Sequence, residues 1–167
     1  MNIQYCSIDP AINNVGIAII QIEGDKFNII SKATLRSNPK SGKWQKKLDM
    51  LELFKYFLRD KIDNVSFFVF ENYSYGSPGQ LADLGEMIGM FKKHISDAGK
   101  SFDTIAPNTV KLRVAGHGHA SKEKVQEGLH HYLVDPNVTW NSLDESDAVA
   151  IGIAYAKVMQ EKISELE

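Results

Sequence analysis

The hydrophobic and polar positions at the start of the chain predict a hairpin followed by a third strand. Residues 3–8 alternate between two faces, as a strand at the centre of a sheet does. Residues 10–16 are rich in turn formers, and residues 15–22 form a second run with strand character. Residues 26–34 fit a third strand. We therefore expect three consecutive strands before the first helix.

After this region the pattern alternates between helical and strand periods. Apolar residues recur at helical spacing over 44–62 and over 81–95, which predicts two helices that pack on the sheet. The inner face of the first helix is predicted to comprise Leu48, Leu51, Phe54, Leu58 and Ile62. Residues 65–70 are almost continuously apolar, which is typical of a strand buried on both faces. A short strand is predicted at 102–106.

The last third of the chain is predicted to be mainly helical. A small helix begins at Pro107, and a longer one opens at Ser121 and is stopped by residues 135–137. Its inner face is predicted to comprise Val125, Leu129 and Leu133. Residues 148–156 are apolar on nearly all sides, so the helix that contains them should be buried. The whole pattern indicates an α/β protein.

Composition places the chain among ordinary globular proteins. It has 167 residues, 43% of them hydrophobic and 24% charged, and we expect one domain over residues 1–167. The single cysteine, Cys6, excludes a disulfide framework and a cysteine-based zinc site. No apolar run reaches membrane-spanning length and no leader segment is evident, so we expect a cytoplasmic protein without membrane partners.

The formal net charge of −2 hides an uneven distribution of cations. Between residues 31 and 48 the cations, with no acid among them, are Lys32, Arg36, Lys40, Lys43, Lys46 and Lys47. A second group comprises Lys92, Lys93, Lys100, Lys111, Arg113, Lys122 and Lys124. Each group fits an ordinary solvated face, but each also fits a surface that meets a phosphate backbone, because placement of charge is more informative than its total.

Two acidic residues stand where apolar strands end. Asp9 follows the first strand, and Glu71 follows the strand at 65–70. An ionised carboxylate in such a position is costly to desolvate unless a cation or hydrogen-bond donors face it. An aspartate before a proline also commonly starts a turn by accepting bonds from backbone N–H groups, and this alternative applies to Asp9.

Two further acids, Asp144 and Asp147, precede the apolar part of the last helix. Because they are three residues apart, they share one helical face if both lie in the first turn. Acids there also stabilise the positive end of the helix dipole, which is the purely structural alternative. Small residues let this helix lie close to the sheet: Ala148, Gly152 and Ala156. That approach would bring Asp147 toward Asp9 and Glu71.

Four carboxylates cannot all stay ionised together without cations. Mg²⁺, with Mn²⁺ as its substitute, is a hard divalent ion that prefers oxygen ligands. Two such ions about 4 Å apart are the device by which nucleases activate a water and stabilise the leaving oxygen of a phosphodiester. The acids therefore indicate a two-metal nuclease site, in which nearby lysines would hold the phosphates of the nucleic-acid substrate.

Two tyrosines follow Glu71 in a loop rich in turn formers. Tyr73 and Tyr75 can stack on bases, and each stacked base contributes about 1–3 kcal/mol. The alternative is that the two rings pack over the edge of the sheet. The sequence leaves both interpretations open.

Glycines and histidines at two other places suggest contacts. Gly85 and Gly89 are four apart in a predicted helix, where glycine costs about 1 kcal/mol relative to alanine. They indicate close approach by another backbone, from the sheet or from a second subunit. His117 and His119 are weak metal candidates, because no cysteine or third ligand is near them in sequence.

Four motifs, taken in order, make the chain resemble a known family. They are Asp9 with Gly16; Val69-Phe70-Glu71; Val110-Lys111 followed by Gly116-x-Gly118-x-Ala120-x-Lys122; and Asp144-x-x-Asp147-Ala148-x-Ala150. Together they resemble the RuvC-type Holliday junction resolvases of the RNase H-like (retroviral integrase) superfamily, with this chain as a divergent, phage-like member. The resemblance implies an α/β RNase H-like fold. That fold has a central mixed five-stranded sheet, whose first three strands form an antiparallel meander, and helices on both faces.

The resemblance also implies an activity and roles for named residues. It implies a homodimeric, metal-dependent endonuclease that nicks two opposing strands of a four-way DNA junction, with the helix at 79–96 as the dimer contact. Metal ligands would be Asp9, Glu71, Asp144 and Asp147. The DNA-binding candidates are Lys111, Arg113, Lys122, Tyr73 and Tyr75, and Lys122 is also a catalytic candidate near the scissile phosphate. The family often has an aromatic residue three positions after the glutamate, where this chain has Ser74.

Two alternatives come from other functional classes. Asp9 followed by a glycine-containing hairpin also resembles the first phosphate loop of actin-like and Hsp70-like ATPases, although the chain is short for two such lobes and lacks a recognisable glycine-rich adenosine motif. The other alternative is a non-catalytic module that binds branched DNA. Within the nuclease interpretation, the enzyme could also cut a broader range of branched DNA. ATP binding tests the first alternative, and the effect of Asp9→Asn on cleavage tests the second.

Overall fold

Five strands form one mixed sheet. The strands are β1 (Gln4–Asp9), β2 (Asn14–Glu23), β3 (Lys26–Arg36), β4 (Phe67–Glu71) and β5 (Phe102–Ile105). Their order across the sheet is β3-β2-β1-β4-β5, in a computed structural model that describes residues 2–73 and 76–167. The first three strands are an antiparallel meander, whereas β4 lies parallel to β1 and β5 lies parallel to β4. The predicted sheet is confirmed.

Five helices cover the two faces of this sheet. They are α1 (Lys43–Leu58), α2 (Pro78–Asp97), α3 (Pro107–Ala115), α4 (Lys122–Leu129) and α5 (Leu143–Ser164). Helices α1 and α2 pack on one face, where Phe54 and Phe91 stack with ring centroids 4.2 Å apart. Helices α3, α4 and α5 pack on the other face. In the described part of the chain, no helix is both long enough and apolar enough to cross a bilayer.

Helix α5 lies unusually close to the sheet, as its small residues predicted. The hydroxyl of Ser7 on β1 donates a hydrogen bond to the carbonyl oxygen of Ala148 at 2.6 Å. A Cβ atom at Gly152 would lie 2.7 Å from Cδ1 of Ile20 and 2.9 Å from Oγ of Ser7, so a larger residue there would have to displace these side chains. Residues 148–156 are all buried, as expected. The start of α5 is thereby fixed next to the end of β1.

The predicted inner face of α1 is right for most of its length and wrong at its start. Phe54 and Leu58 are fully buried, and Leu51 and Ile62 pack against the same core, although Ile62 lies beyond the helix in a short 3-10 turn. At the start of the helix Lys47 and Met50 are buried, and the ammonium of Lys47 binds Asp83 and Glu86 of α2 at 2.7 Å and 2.5 Å. A buried lysine can occupy such a position because it is paired there. Periodicity in apolar residues cannot reveal such a pair.

Helix α4 is shorter than predicted. It ends at Leu129, because the following residues turn back to pair with the start of β3. The backbone N–H of Phe27 donates to the carbonyl of Tyr132 at 2.9 Å, and that of Val134 donates to the carbonyl of Phe27 at 2.9 Å. Leu133 is therefore buried as part of this pairing, not as part of a helical face.

The glycine pair of α2 does not face the sheet, so that form of the prediction is wrong. A Cβ atom at Gly85 would meet the hydroxyl of Tyr73 at 3.1 Å, which is a side chain and not a backbone. At Gly89 no heavy atom of the described chain lies within 4 Å of the Cβ position. The prediction that a second subunit approaches α2 stays a prediction.

Candidate active site

Asp9 is the last residue of β1, and the start of α5 packs against the residue beside it on β2. Asp9 pairs with Gly16 on β2. A Cβ atom at Gly16 would lie 2.1 Å from the carbonyl oxygen of Asp144, so glycine at this point allows the first turn of α5 to rest directly on β2. Sheet register and a missing side chain together place Asp9 beside Asp144.

Three carboxylates meet at this place. Asp9, Asp144 and Asp147 each offer one oxygen, and these oxygens all lie within 4.8 Å of one another. Asp144 lies in the first turn of α5, close to the positive end of the helix dipole, whereas Asp147 lies beyond that turn. Because the dipole effect falls off within the first turn, capping does not account for Asp147. The three acids have the spacing of ligands to a shared cation.

Glu71 joins the site from the neighbouring strand. It ends β4, which runs parallel to β1 with Phe70 opposite Ile8, so Glu71 and Asp9 emerge at the same edge of the sheet. Both line a cavity of about 160 Å³ together with Asp147. The predicted set of four acids is thus brought to one edge of the sheet, with three in mutual reach and Glu71 beside them.

Burial and mutual repulsion disfavour the charged forms of these acids. Burial, followed by repulsion from Glu71 and Asp147, raises the pKa of Asp9 to about 8. Burial and then repulsion from Asp147 raise the pKa of Glu71 to about 7. Burial also raises the pKa of Asp147, against the opposing hydrogen bond from Lys122. A cluster of this kind needs added positive charge to be fully ionised near neutral pH.

Two lysines supply part of that charge. Lys122, the first residue of α4, donates a hydrogen bond from its ammonium to Oδ2 of Asp147 at 2.8 Å. This bond raises the pKa of Lys122. Lys111 on α3 lines the same cavity, and its charge lowers the pKa of Glu71 and of Asp147. Both lysines, which the family resemblance implies to be near the scissile phosphate, lie on the wall of the acidic cavity.

A network that sequence reasoning missed holds the first turn of α5. Glu145 accepts a hydrogen bond from Lys32 on β3 at 2.5 Å and from the backbone N–H of Asn141 at 3.1 Å. The Ser142 hydroxyl caps the helix by accepting from the N–H of Glu145, and it contacts the hydroxyl of Thr34 at 2.7 Å. The pattern Ser142-x-x-Glu145 is the sequence signal of a capping box and is the signal that could have identified this turn.

The other predicted site residues differ in where they lie. Arg113 forms a bidentate pair with Glu161, at 2.7 Å and 2.8 Å, near the far end of α5, and is not brought to the acids. Tyr73 is half-buried and packs against core residues of the α1–α2 face, but it also lines a depression together with Asp9 and Glu71, so its ring lies beside the acids. Tyr75 and Ser74 lie outside the described residues. Within the described ranges, His117 and His119 belong to no group of potential metal ligands.

The motif positions agree with a family model that covers most of the chain. A model described as Crossover junction endodeoxyribonuclease RuvC matches residues 6–155, a span that contains all four acids. The chain belongs to the RuvC family. This membership confirms the resemblance in the sequence and favours the nuclease hypothesis over the actin-like one.

Individual RuvC proteins match over nearly their full length. The RuvC of Thermotoga maritima is 24% identical over 166 residues, which is 96% of this chain and 94% of that protein. The structure of Thermus thermophilus RuvC superposes with a TM-score of 0.81 at 21% identity, covering 96% of this chain and 97% of the other. The structure of the T. thermophilus protein in complex with a Holliday junction substrate superposes with a TM-score of 0.80 at 21% identity, covering 92% of this chain and 93% of the other. At these identities the structural likeness establishes the shared RuvC fold.

Proposed function

We propose that this protein is a structure-selective endonuclease that resolves four-way DNA junctions by metal-dependent hydrolysis of phosphodiester bonds. The observation that carries the proposal is the meeting of Asp9, Asp144 and Asp147 in a chain of the RuvC family. The T. thermophilus relative was captured with a Holliday junction substrate, which supports the same substrate class here. In this proposal residues 1–167 are one nuclease domain.

The donor set fits hard divalent cations. All the candidate ligands are carboxylate oxygens, which Mg²⁺ and Mn²⁺ prefer, and cysteine and histidine are not among the three that meet. The raised pKa values of Asp9 and Glu71 also fit a site that is completed by cations. We assign Asp9, Glu71, Asp144 and Asp147 as the ligands of two Mg²⁺ ions, with Mn²⁺ as a substitute. When bound, such a pair activates the attacking water and stabilises the leaving oxygen.

The surrounding residues prepare the site for a phosphodiester. Lys122 and Lys111 place two ammonium groups on the cavity wall, where they can donate to phosphate oxygens of a strand that lies across the acids. The close packing of α5 on β1 and β2 fixes Asp144 and Asp147 relative to Asp9 before substrate arrives. Preorganised charge of this kind stabilises a transition state without reorganisation during the reaction.

The substrate symmetry fits a homodimer formed through α2. An open groove between α1 and α2 is lined by Trp44, Leu51, Gly89 and Met90, and Trp44 is 59% exposed. An apolar surface of this kind suits a second copy of the chain. A two-fold partner would present two acidic sites to a junction that is itself two-fold symmetric.

A cleavage assay with titrated Mg²⁺ on four-way, three-way and linear DNA tests the proposal. We expect paired nicks on opposing strands of the four-way junction, and slower or no cutting of the other substrates. Asp147→Asn and Asp9→Asn should lower the rate by more than about 100-fold, since even outer partners of a metal site contribute 10–100-fold. Junction binding by these variants should stay within about threefold of wild type.

Asp135→Asn is the matched control, because Asp135 is exposed in the loop before α5. Equal cutting of linear and four-way DNA would contradict structure selectivity. A wild-type protein that binds junctions without cutting them in Mg²⁺ or Mn²⁺ would instead establish the non-catalytic alternative.

A further inference from the structure

A surface groove adjoins the acids and is separate from the cavity that Lys111 and Lys122 line. It starts at Asp144 and follows the loop between β1 and β2, with Ile12, Asn13 and Gln80 in its walls. The same three residues also line a second depression, which extends to Lys43 and Lys46 at the start of α1. The two depressions, about 410 Å³ and 430 Å³, are therefore adjacent, and together we call them the lateral groove.

The far end of the lateral groove is positively charged. Lys46 is held against the β1–β2 loop by a hydrogen bond from its ammonium to Oδ1 of Asn13 at 3.1 Å. This partner is neutral, so the charge of Lys46 stays available. Arg36, which pairs with Asn14 across the end of the sheet, and Lys40 are both exposed close by in the chain. Within the described residues, the carboxylates form no ion pair with these three cations.

The carboxylate at this end of the groove does not cancel the charge. Asp83 is bound by the buried Lys47 at 2.7 Å and lies 3.5 Å from Lys43. The hydrogen bond from Lys47 lowers the pKa of Asp83, and Lys47 also binds Glu86 at 2.5 Å. Asp83 and Glu86 are therefore balanced by Lys43 and Lys47, and the charges of Lys46, Arg36 and Lys40 remain. Lys43 itself has 82% of its side chain exposed. Cations of α3 and α4 thus line the acidic cavity itself, and cations of α1 line the far end of the lateral groove that starts at Asp144.

We propose that the lateral groove holds the DNA strand that continues from the cleaved phosphodiester, with Lys43 and Lys46 contacting its phosphates. This inference rests on the proposed nuclease function. A DNA strand carries a phosphate about every 3.4 Å along the helix axis, so a strand with one phosphate at the acids must place others along the adjoining surface. The groove is where that surface changes from acidic residues at Asp144 to the cations Lys43 and Lys46, with Arg36 and Lys40 exposed nearby. The sugar–phosphate backbone of DNA is the occupant that this change in charge fits.

Binding of a fluorescent four-way junction to the full-length protein in EDTA tests the inference without cleavage. The Lys43→Ala/Lys46→Ala double variant should bind about tenfold more weakly, and the slope of log K against log salt should fall by about 1.8, or 0.9 for each phosphate contact. The matched control is Lys55→Ala/Lys61→Ala, which removes two cations paired with Glu52 and Asp60 at the other end of α1. It should change neither quantity by more than about twofold.

A cross-linking experiment locates the strand directly. The chain has a single cysteine, Cys6, which is fully buried, so Lys46→Cys adds an accessible thiol that can carry a photoactivated aryl azide. We expect cross-links to the strand that is cut, within a few nucleotides of the cut site. Because this experiment uses only Lys46→Cys, it tests the inference even if the double alanine variant fails to fold.

The outcomes separate this inference from the proposed function. If the wild-type protein cuts junctions and the double variant has the affinity and salt slope of the control, the groove assignment is overturned and the proposed function is not. Cross-links from position 46 to a second copy of the protein, and none to DNA, also overturn it. A wild-type protein that binds without cutting overturns the proposed function, whereas DNA cross-links from position 46 would still support the groove.

Discussion

The ammonium of Lys32 on β3 lies 2.5 Å from the carboxylate of Glu145, and these side chains are only 18% and 5% exposed. The pair connects the edge of the sheet to the turn that carries Asp144. Burial alone would raise the pKa of Glu145, but the hydrogen bonds from Lys32 and Asn141 outweigh it and hold that pKa below its usual range. The pair is thus part of what fixes the acidic site.

Glu145→Ala should therefore weaken both the fold and metal binding. Removing one partner of a buried ion pair costs about 3 kcal/mol, which corresponds to a fall in Tm of about 6–12 °C for a chain of this size. The metal concentration at half-maximal thermal stabilisation should rise. Glu161→Ala, which breaks the pair with Arg113 at the far end of α5, is the control. It should lower Tm and leave that metal concentration unchanged; equal effects of the two variants would refute a local role for Glu145.

Gly16→Ala should displace Asp144. The added Cβ atom would lie 2.1 Å from the carbonyl oxygen of Asp144, which is backbone and cannot rotate away. Overpacking of this kind costs about 1–3 kcal/mol, and the shift of α5 should weaken metal-induced stabilisation. Gly79→Ala is the control, because no heavy atom of the described chain lies within 4 Å of its Cβ position. Calorimetry with and without Mn²⁺ measures both effects, and an unchanged metal response in Gly16→Ala would contradict the expected displacement.

Asp9 should make the metal-free protein less stable as pH rises. The pKa of Asp9 is raised in the fold, from 3.8 to about 8, so the folded state binds more protons than the unfolded state between these values. Its contribution to stability is present below about pH 4 and is lost as pH rises to about 8. Asp9→Asn removes this loss and should raise the metal-free Tm at pH 8 by at least about 3 °C.

The same substitution should abolish most of the stabilisation that Mg²⁺ or Mn²⁺ gives to the wild-type protein. Thermal melts of both proteins at pH 5 and pH 8, with and without metal, check the two effects together. A wild-type protein whose metal-free stability rises steadily to pH 8 relative to Asp9→Asn would contradict the raised pKa.

Lys122→Ala should slow cleavage more than it weakens binding. Its ammonium lies 2.8 Å from Asp147 and lines the acidic cavity, so its charge acts where the phosphodiester reacts. We expect a rate loss of about 10²-fold or more in single-turnover cleavage, the scale of one electrostatic donor at a reacting oxygen. Lys124→Ala, two residues along on α4 and exposed, should cut at about the wild-type rate. Parallel losses in rate and affinity would make Lys122 a simple phosphate contact.

Gly89→Ala tests the proposed dimer. In the isolated chain alanine at this open helical position should stabilise α2 by about 1 kcal/mol. If a second copy packs on α2, the added methyl group should instead weaken self-association. Sedimentation velocity over a range of protein concentrations measures the dimerisation constant. An unchanged constant would move the interface away from Gly89.

Sequence patterns predicted the sheet and the acids well because both depend on local, regular signals. The five strands follow from alternating and continuously apolar runs, whereas their arrangement in one mixed sheet was implied by the family resemblance. Asp9 and Glu71 were found because each ends such a run. The small residues of α5 predicted its close approach to the sheet, which Ser7 and Gly152 confirm.

The errors in α1 and α4 arose where a contact distant in sequence outweighs the helical period of apolar residues. The burial of Lys47 at the start of α1 was missed, because its two carboxylate partners come from α2, far away in sequence. The pairing of Phe27 with residues near Leu133 ends α4 early for the same reason. Lys32 and Glu145 could not be paired from sequence either, since β3 and α5 are brought together only by the complete fold.

The acids of the site come from opposite ends of the chain, with Asp9 on the first strand and Asp147 on the last helix. A chain still emerging from the ribosome therefore has no assembled cutting centre until residues 143–164 are free to fold onto β1 and β2. Synthesis itself thus delays the appearance of a DNA-cutting activity, and a truncated product that lacks α5 would be harmless to the genome of the cell that makes it.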